Sequence, residues 1–368
     1  MGKMSEKNNI IVVDITDRES TELNSSSELI SIRGAGQVAT RNPSLKSRLW
    51  NLTNDLREII NTNIPNKVLD IESLVPGEEH IQDYEIKKLS EPCIKVREIF
   101  DTNRDIKKVV NRTFVFKHAN QCSLKIFITN TIDNPIAKVE LKREMPEIFR
   151  DIDIKPLESS KAELIKENGE RFISWEVINL EAKKTVELYI ECTATINKAE
   201  DLLLGGLEGT YLINNYQLTQ ISPLIRSVTE SMSAISKDEG MDPGTWDCDI
   251  EFSNESEFDI KFEKVSVDQK IPSGTENIFT QSPNLEMHPQ DSWEHEFKVE
   301  SNDIPKFNYT FDFTVLFEVS TRVFGELNKE SEVYRVIASE VSKKIEPPEI
   351  AAYANTSIRI ENTISNTG

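Results

Sequence analysis

Along much of the chain, apolar and polar residues alternate one for one. In TVELYIECTATI, Val186, Leu188, Ile190, Cys192, Ala194 and Ile196 fall on one face, while Glu187, Glu191, Thr193 and Thr195 fall on the other. A period of two belongs to an extended strand, whose successive side chains point to opposite sides. TFDFTVLFEVS repeats it, with Phe311, Phe313, Val315, Phe317 and Val319 inward, and shorter runs follow in SLKIFIT, CDIEF and SWEHEFKV. In FDIKFEKVSV the apolar phase changes between Phe262 and Val265, as the extra residue of a β-bulge would make it do. Strands with one apolar and one polar face predict antiparallel sheets packed on a core.

Two segments read differently. Leu49, Leu52, Leu56 and Ile59 or Ile60 in RLWNLTNDLREIINT, and Leu224, Val228, Met232 and Ile235 in PLIRSVTESMSAIS, recur every three to four residues. Each suits either a short connecting helix or a strand whose context overrides the spacing.

A strand-plus-turn pattern recurs as SLKIFITNTIDNPIAKVEL, CDIEFSNESEFDIKFEKV and SIRIENTISNTG, with Asn130, Asn254 and Asn362 in equivalent places. Asn42-Pro43 in GQVATRNPSLKSRLWNL matches Asn134-Pro135 and suggests an earlier copy. Each of the first copies is followed by a turn and a strand, in IESLVPGEEHIQDYEI, INLEAKKTVELYIE and LEMHPQDSWEHEFKV, with Pro76, Ala182 and Pro289 at corresponding turn positions.

The expected layout is an N-terminal segment 1–24, β-module 1 over 25–103, β-sandwich module 2 over 104–222 and module 3 over 223–347. A C-terminal strand over 348–368 would open a fourth module, with IEPPEI (Ile345 to Ile350) as a stiff hinge before it. This layout resembles the conserved-repeat, immunoglobulin-like β-sandwich modules found in tandem in large archaeal and bacterial proteins. The resemblance rests on the Asn-Pro-type turn after the first strand and the [LM]-x-[PA] turn before a late one. It implies an all-β fold and a spacer, scaffold or adhesive role, with no catalytic residues to carry over.

A length of 368 residues allows two to four domains. The formal charge of −20 repels phosphate backbones, and no basic run with interleaved aromatics reverses it locally, so nucleic acid is excluded as a partner and proteins or self-association are expected. No stretch of about 18 apolar residues predicts a membrane span. MGKMSEKNNIIVVDITDRES lacks a signal-peptide core, and Glu6 stands where myristoylation needs Ser or Thr, which places the expected location in the cytoplasm. There Cys93, Cys122, Cys192 and Cys248 are expected as free thiols.

Reactive residues do not assemble into known patterns. His80, His118, His288 and His295 show no zinc spacing, and His295 alternates with Trp293 and Phe297 as a packed residue. The G-x-G of Arg33 to Gly36 lacks the third glycine of a dinucleotide loop and reads as a turn before a strand. Acids at Asp14, Asp17, Glu19, Glu78, Glu79, Asp151, Asp153, Asp247 and Asp249 read as a solvated face; calcium at module junctions is the one cation to consider, but none fits a calcium loop. No catalytic, cofactor or metal residue is therefore assigned, and the expected function is a non-enzymatic structural or protein-interaction scaffold. The alternatives are accessory modules of a larger enzyme, or a filament subunit joined by exchange of the C-terminal strand. For that strand, continuation into a longer array and folding back on the preceding sandwich compete with exchange.

Overall fold

The computed structural model describes residues 9–106, 109–156, 160–337, 341–346 and 361–366. Within them the protein is all-β: 27 strands and no helix. In chain order the first are β1 (Ile11–Leu23), β2 (Leu29–Arg41), β3 (Leu49–Arg57), β4 (Val68–Leu74), β5 (Glu79–Ile86), β6 (Ile94–Asp101) and β7 (Thr113–Val115). Next come β8 (Ala119–Asn130), β9 (Ile136–Glu144), β10 (Phe149–Lys155), β11 (Ser160–Glu167), β12 (Glu170–Leu180), β13 (Thr185–Thr195), β14 (Leu202–Leu204) and β15 (Leu207–Asn214). They are followed by β16 (Ser222–Val228), β17 (Ser231–Glu239), β18 (Thr245–Asn254), β19 (Ile260–Ile271), β20 (Gly274–Gln281), β21 (Leu285–Met287) and β22 (Ser292–Glu300). The last are β23 (Lys306–Val315), β24 (Phe317–Lys329), β25 (Glu332–Ile337), β26 (Val341–Glu346) and β27 (Glu361–Asn366).

The chain forms two compact units, each discontinuous in sequence: unit 1 comprises Met1–Asp17, Gly34–Lys88 and Asn215–Val323, and unit 2 comprises Arg18–Arg33, Leu89–Asn214 and Phe324–Gly368. These differ from consecutive stretches 25–103, 104–222 and 223–347, because β1, β2 and β24 each begin in one unit and end in the other.

In unit 1, β17-β18-β22 faces a sheet in which β19 pairs with β20 and β21 along one edge and β23 along the other. Between the sheets Phe252 stacks on Phe262 and Phe311, with ring centroids 4.8 and 4.9 Å apart. A third sheet runs β16-β3-β4. In unit 2, β10-β13-β8-β6 supplies Leu124, Ile126, Leu188 and Ile190 to a core completed by Val139, Leu141 and Trp175 from the β11-β12-β9-β15 side. One short pair, β25 with β7, is parallel, an exception to the expected antiparallel pattern.

The alternating strands behave as their pattern dictates. In β13, Leu188, Ile190, Cys192 and Ala194 are buried and the intervening positions are not. The phase change in β19 is a real irregularity, since the register against β23 shifts between Phe262 and Lys264.

Two open readings are decided and one expectation is corrected. RLWNLTNDLREIINT contains β3, not a helix: against β16, Trp50 pairs with Val228 and Thr53 with Arg226, so Asn51, at φ +49°, and Leu52 stand opposite the single Ser227, and the extra residue brings Leu49 and Leu52 to the same face. The bulge imitates helical spacing. PLIRSVTESMSAIS contains β16 and β17, and its buried positions are Pro223, Ile225, Ser227 and Thr229, a period of two partly hidden because two members are polar. TFDFTVLFEVS is broken at Leu316, whose N–H and C=O bond to Asp259 and Ile11, and Val319 beyond the break is 41% exposed.

The asparagines singled out by the repeat make one and the same set of bonds. Asn42, Asn130 and Asn254 are fully buried at the ends of strands. Each Oδ1 accepts from the backbone N–H two residues on, at Ser44, Ile132 and Ser256. Each Nδ2 donates to a distant carbonyl, that of Leu74, Leu180 or Met287, and to a nearby one, that of Ser47, Asn134 or Phe258. Asn130 and Asn254 reach a third carbonyl, of Glu181 and His288. The distant acceptors are the [LM] residues of the [LM]-x-[PA] turns. Four residues after each acceptor, Glu78, Lys184 and Asp291 accept the backbone N–H of the same asparagines.

Those turns close by hydrogen bonds from Glu78 to Val75, Lys184 to Glu181 and Asp291 to His288. Pro76, Ala182 and Pro289 come second, and Gly77, Lys183 and Gln290 come third with φ of +76°, +58° and +70°. That is the type II turn, which asks for glycine in third place. Only the first has it. Lys183→Gly and Gln290→Gly are therefore each expected to raise stability by about 0.5–1 kcal/mol, read as an upward shift in Tm, whereas Gly77→Lys lowers it.

β27 pairs antiparallel with β26, Asn362 opposite Ile345, so this part of the C-terminal segment has a partner in the preceding strand. The remainder of the expected strand over 348–368 and the hinge beyond Glu346 lie outside the described residues.

Candidate functional site: a groove beside an edge strand

Two of the acids singled out by sequence are engaged in structural hydrogen bonds. Asp17 and Glu19 are buried rather than solvated, contrary to the expected acidic face. Tyr84 donates to Asp17 Oδ1 at 2.5 Å, and Leu218 N–H donates to Oδ2 at 2.6 Å. Burial pushes the Asp17 carboxyl above its usual range against these bonds. Burial, then the Asp17 charge, pushes the Tyr84 hydroxyl up. The Tyr84 ring lies where a Cβ on Gly36 would sit, so the G-x-G is the middle of β2 rather than a turn, and its glycine admits a ring. In unit 2 the arrangement recurs: Tyr211 donates to Glu19 with its ring over Gly325, and Cys93 N–H donates to the same carboxylate.

The four cysteines are buried thiols, none of them in a disulfide. Cys122 and Cys192 stand opposite one another on β8 and β13. Their mutual hydrogen bond raises the Cys122 thiol, where burial adds to it, and holds the Cys192 thiol below its usual range against the effect of burial. His295 is packed as expected, its ring parallel to Trp293 at 5.8 Å and hydrogen-bonded to Gln281. Among the described residues no group of three or more His, Cys, Asp and Glu is placed to hold a metal ion, and no helix is long and apolar enough to cross a membrane.

What unit 2 offers instead is a groove of about 610 Å³ beside β6. β6 ends the order β10-β13-β8-β6, so β8 pairs with one side of it and no strand among the described residues pairs with the other. Thr131 N–H donates to the Cys93 carbonyl in continuation of the β8 ladder. By strand alternation the odd residues of β6 therefore turn their backbone groups to β8, and Ile94 and Val96 turn theirs outward. Both border the groove as buried residues, 0% and 3% exposed.

Apolar surface comes from Leu23 and Leu29 of the β1–β2 hairpin, Pro92, and Phe127 of β8. The hairpin is fixed by Asn24, whose Oδ1 accepts from the N–H groups of Ser26 and Glu28 at 2.9 and 2.8 Å. Leu29 is 43% exposed. The exposed face of β6 contributes Lys95 and Arg97, the latter held with its guanidinium 4.8 Å from the centre of the Phe127 ring. Glu91 is the remaining charge of the lining.

The inner face of β6 explains its rigidity. Glu98 meets Lys329 Nζ at 2.9 Å and Arg143 Nε at 3.3 Å, all three nearly inaccessible to solvent. Arg143 also donates to the Glu144 carbonyl at 2.6 Å. The edge strand is thereby tied to β9 and β24.

None of the groove residues stood out from sequence. Lys95 and Arg97 belong to a common alternation, and Leu29 is an isolated exposed leucine; only pairing makes β6 an edge. The one available signal was IKVRE, a strand with a basic outer face in an acidic chain.

No known protein family and no curated protein matches the sequence. Among solved structures, the yeast delta-COP-I mu-homology domain is similar at a TM-score of 0.35 and 11% identity, over 89% of this chain and 98% of that one. The same domain complexed with the Dsl1 WxWxV peptide gives 0.36 at 11% identity and the same coverage. The pilus backbone from Streptococcus pneumoniae gives 0.23 at 11% identity, over 68% of this chain and 62% of that one.

Proposed function

We propose that this protein is a non-enzymatic interaction scaffold built of β-sandwich modules, and that unit 2 engages a protein partner at the groove beside β6. The observation that carries this is the groove itself, in which the exposed Leu29 lies with the exposed cations Lys95 and Arg97. Apolar surface rimmed by charge marks protein-binding sites. The shared hydrogen bonds of Asn42, Asn130 and Asn254 support reading the modules as variants of one recurring unit, of the immunoglobulin-like kind.

Comparison of the full chain with the Leu29→Asp, Arg97→Glu double variant, altered at two exposed groove positions, tests this. The immobilised full chain is expected to retain proteins from a cell lysate that the variant, at unchanged Tm, does not. Identical retained sets would show that the groove is not the binding surface.

A further inference from the structure

We infer that unit 2 pairs with the same unit of a second copy of this chain through the open edge of β11, the two strands running antiparallel about a twofold axis at Leu164. This surface is separate from the groove beside β6 and does not depend on it.

β11 ends the order β11-β12-β9-β15, and no strand among the described residues pairs with its other side. The direction of its backbone groups follows from the ladder. Met145 N–H donates to the Arg171 carbonyl in line with the β9–β12 register, so the odd residues of β12 bond to β9 and the even ones to β11. Opposite those even residues stand Lys161, Glu163, Ile165 and Glu167. Ser160, Ala162, Leu164 and Lys166 therefore turn their N–H and C=O groups away from β12. None of these four residues is buried, Lys166 is exposed, and Leu164 is 41% exposed. Unpaired backbone of this kind is a template for another strand, and β11 has neither a proline nor a bulge to block it.

Its charges select the strand that fits. Two copies of β11 join only with even residues opposite even residues, so the register slips in steps of two. With Leu164 opposite Leu164 of the second copy, Lys161 stands opposite the second copy's Glu167, and Glu167 opposite its Lys161. Both pairs lie on the outer face, at exposed positions, in the non-hydrogen-bonded places where facing residues come closest, about 4.5 Å between Cα atoms. A slip of one step sets Glu163 against Glu163. A slip the other way sets Glu163 against Glu167 twice. Like charges directly opposite are destabilising, so the edge specifies one register, and that register is symmetric. In it the Leu164 side chains, on the same face as the buried Ile173 opposite, meet at the axis.

Lys161 meets Glu163 of its own strand at 3.2 Å, and Glu167 meets Lys142 at 2.7 Å. Exposed pairs of this kind contribute little, so neither holds the edge closed. A net charge of −20 on each copy opposes association over the surface in general. A single strand also buries a small area. The pair therefore forms reversibly, and it stops at two because each copy has used its edge.

Sedimentation velocity of the full chain, from micromolar to near-millimolar concentration, should show monomer passing to dimer and nothing larger. Lys161→Glu and Glu167→Lys, each at an exposed position, should each weaken the dimer by at least about tenfold at unchanged Tm. Together they should restore it, because the double variant carries the same pairs with the signs exchanged. Leu164→Pro removes an N–H that faces away from β12 and should abolish the dimer. A chain that stays monomeric throughout or grows beyond two would overturn the inference. So would a dimer undiminished in the single variants or in Leu164→Pro, or one lost in both single charge variants and not recovered in the double.

Discussion

Replacing Glu98 by Gln should destabilise unit 2 by about 4 kcal/mol. The carboxylate is the single acid between two buried cations, 2.9 Å from Lys329 and 3.3 Å from Arg143. Removing one partner of a buried ion pair typically costs 3–5 kcal/mol, because the other charge is left without compensation in a poorly polarisable interior. Here one substitution strands two. Lys329→Met, by contrast, leaves Glu98 paired with Arg143 and is expected to cost less. Added to Glu98→Gln it should restore part of the loss, since one of the two uncompensated charges goes with it. Urea unfolding measures all three. A cost below about 1 kcal/mol for Glu98→Gln, or simple additivity in the double variant, would show that solvent or rearrangement already compensates the cluster. Because Glu98 belongs to β6, its loss is also expected to speed amide exchange along that strand.

Asn130→Ala is expected to cost a similar amount, roughly 4 kcal/mol. Its side-chain amide donates to the carbonyls of Asn134, Leu180 and Glu181, and its Oδ1 accepts from Ile132 N–H. Alanine leaves these buried groups without partners, at about 1–3 kcal/mol each before relaxation and water entry. Asn130→Asp should be no better, because it presents a carboxylate to three carbonyl oxygens. The three asparagines then make a graded series. Asn254→Ala, which also releases three carbonyls, should match Asn130→Ala, and Asn42→Ala, which releases two, should cost less. Denaturant midpoints at constant m-value give the order. An Asn42 variant as damaging as the other two would mean that backbone pairing, not the amide, holds these turns.

This series also shows what was legible in the sequence. The correspondence of Asn42, Asn130 and Asn254, and of Pro76, Ala182 and Pro289, could be seen as text because one local geometry demands one residue type: a buried turn needs a side chain that both donates and accepts. Strand alternation in β13 was legible for the same kind of reason. Leu49 and Leu52 imitate helical spacing because a bulge residue, Asn51, leaves the apolar count unchanged and shifts the phase by one against β16. Ser227 and Thr229 misled because a buried hydroxyl looks like a surface residue in a pattern; each bonds to a backbone carbonyl, of Trp50 and Arg48. The groove was illegible for a different reason. Whether β6 borders a second strand or a groove depends on which strands pair, and in unit 2 the hairpin residues Leu23 and Leu29 reach β6 only through the fold. Asp17 and Glu19 had looked like surface charge or cation ligands; their tyrosine partners are distant in sequence, and nothing local announces them.

The discontinuity of the two units bears on how the protein can be made. β3 pairs with β16, Arg57 opposite Ser222, so residues 34–88 emerge from the ribosome long before their partners do. At roughly 5–20 residues per second, synthesis of the stretch between them takes on the order of ten seconds. During that time β2 through β5 display unpaired edges, whereas β8, β9, β12 and β13 have one another as soon as they are made. Unit 2 can therefore assemble much of its core during translation, and unit 1 must be completed afterwards. Neither can be cloned as one uninterrupted piece: a gene fragment that keeps all of either unit also encodes most of the other.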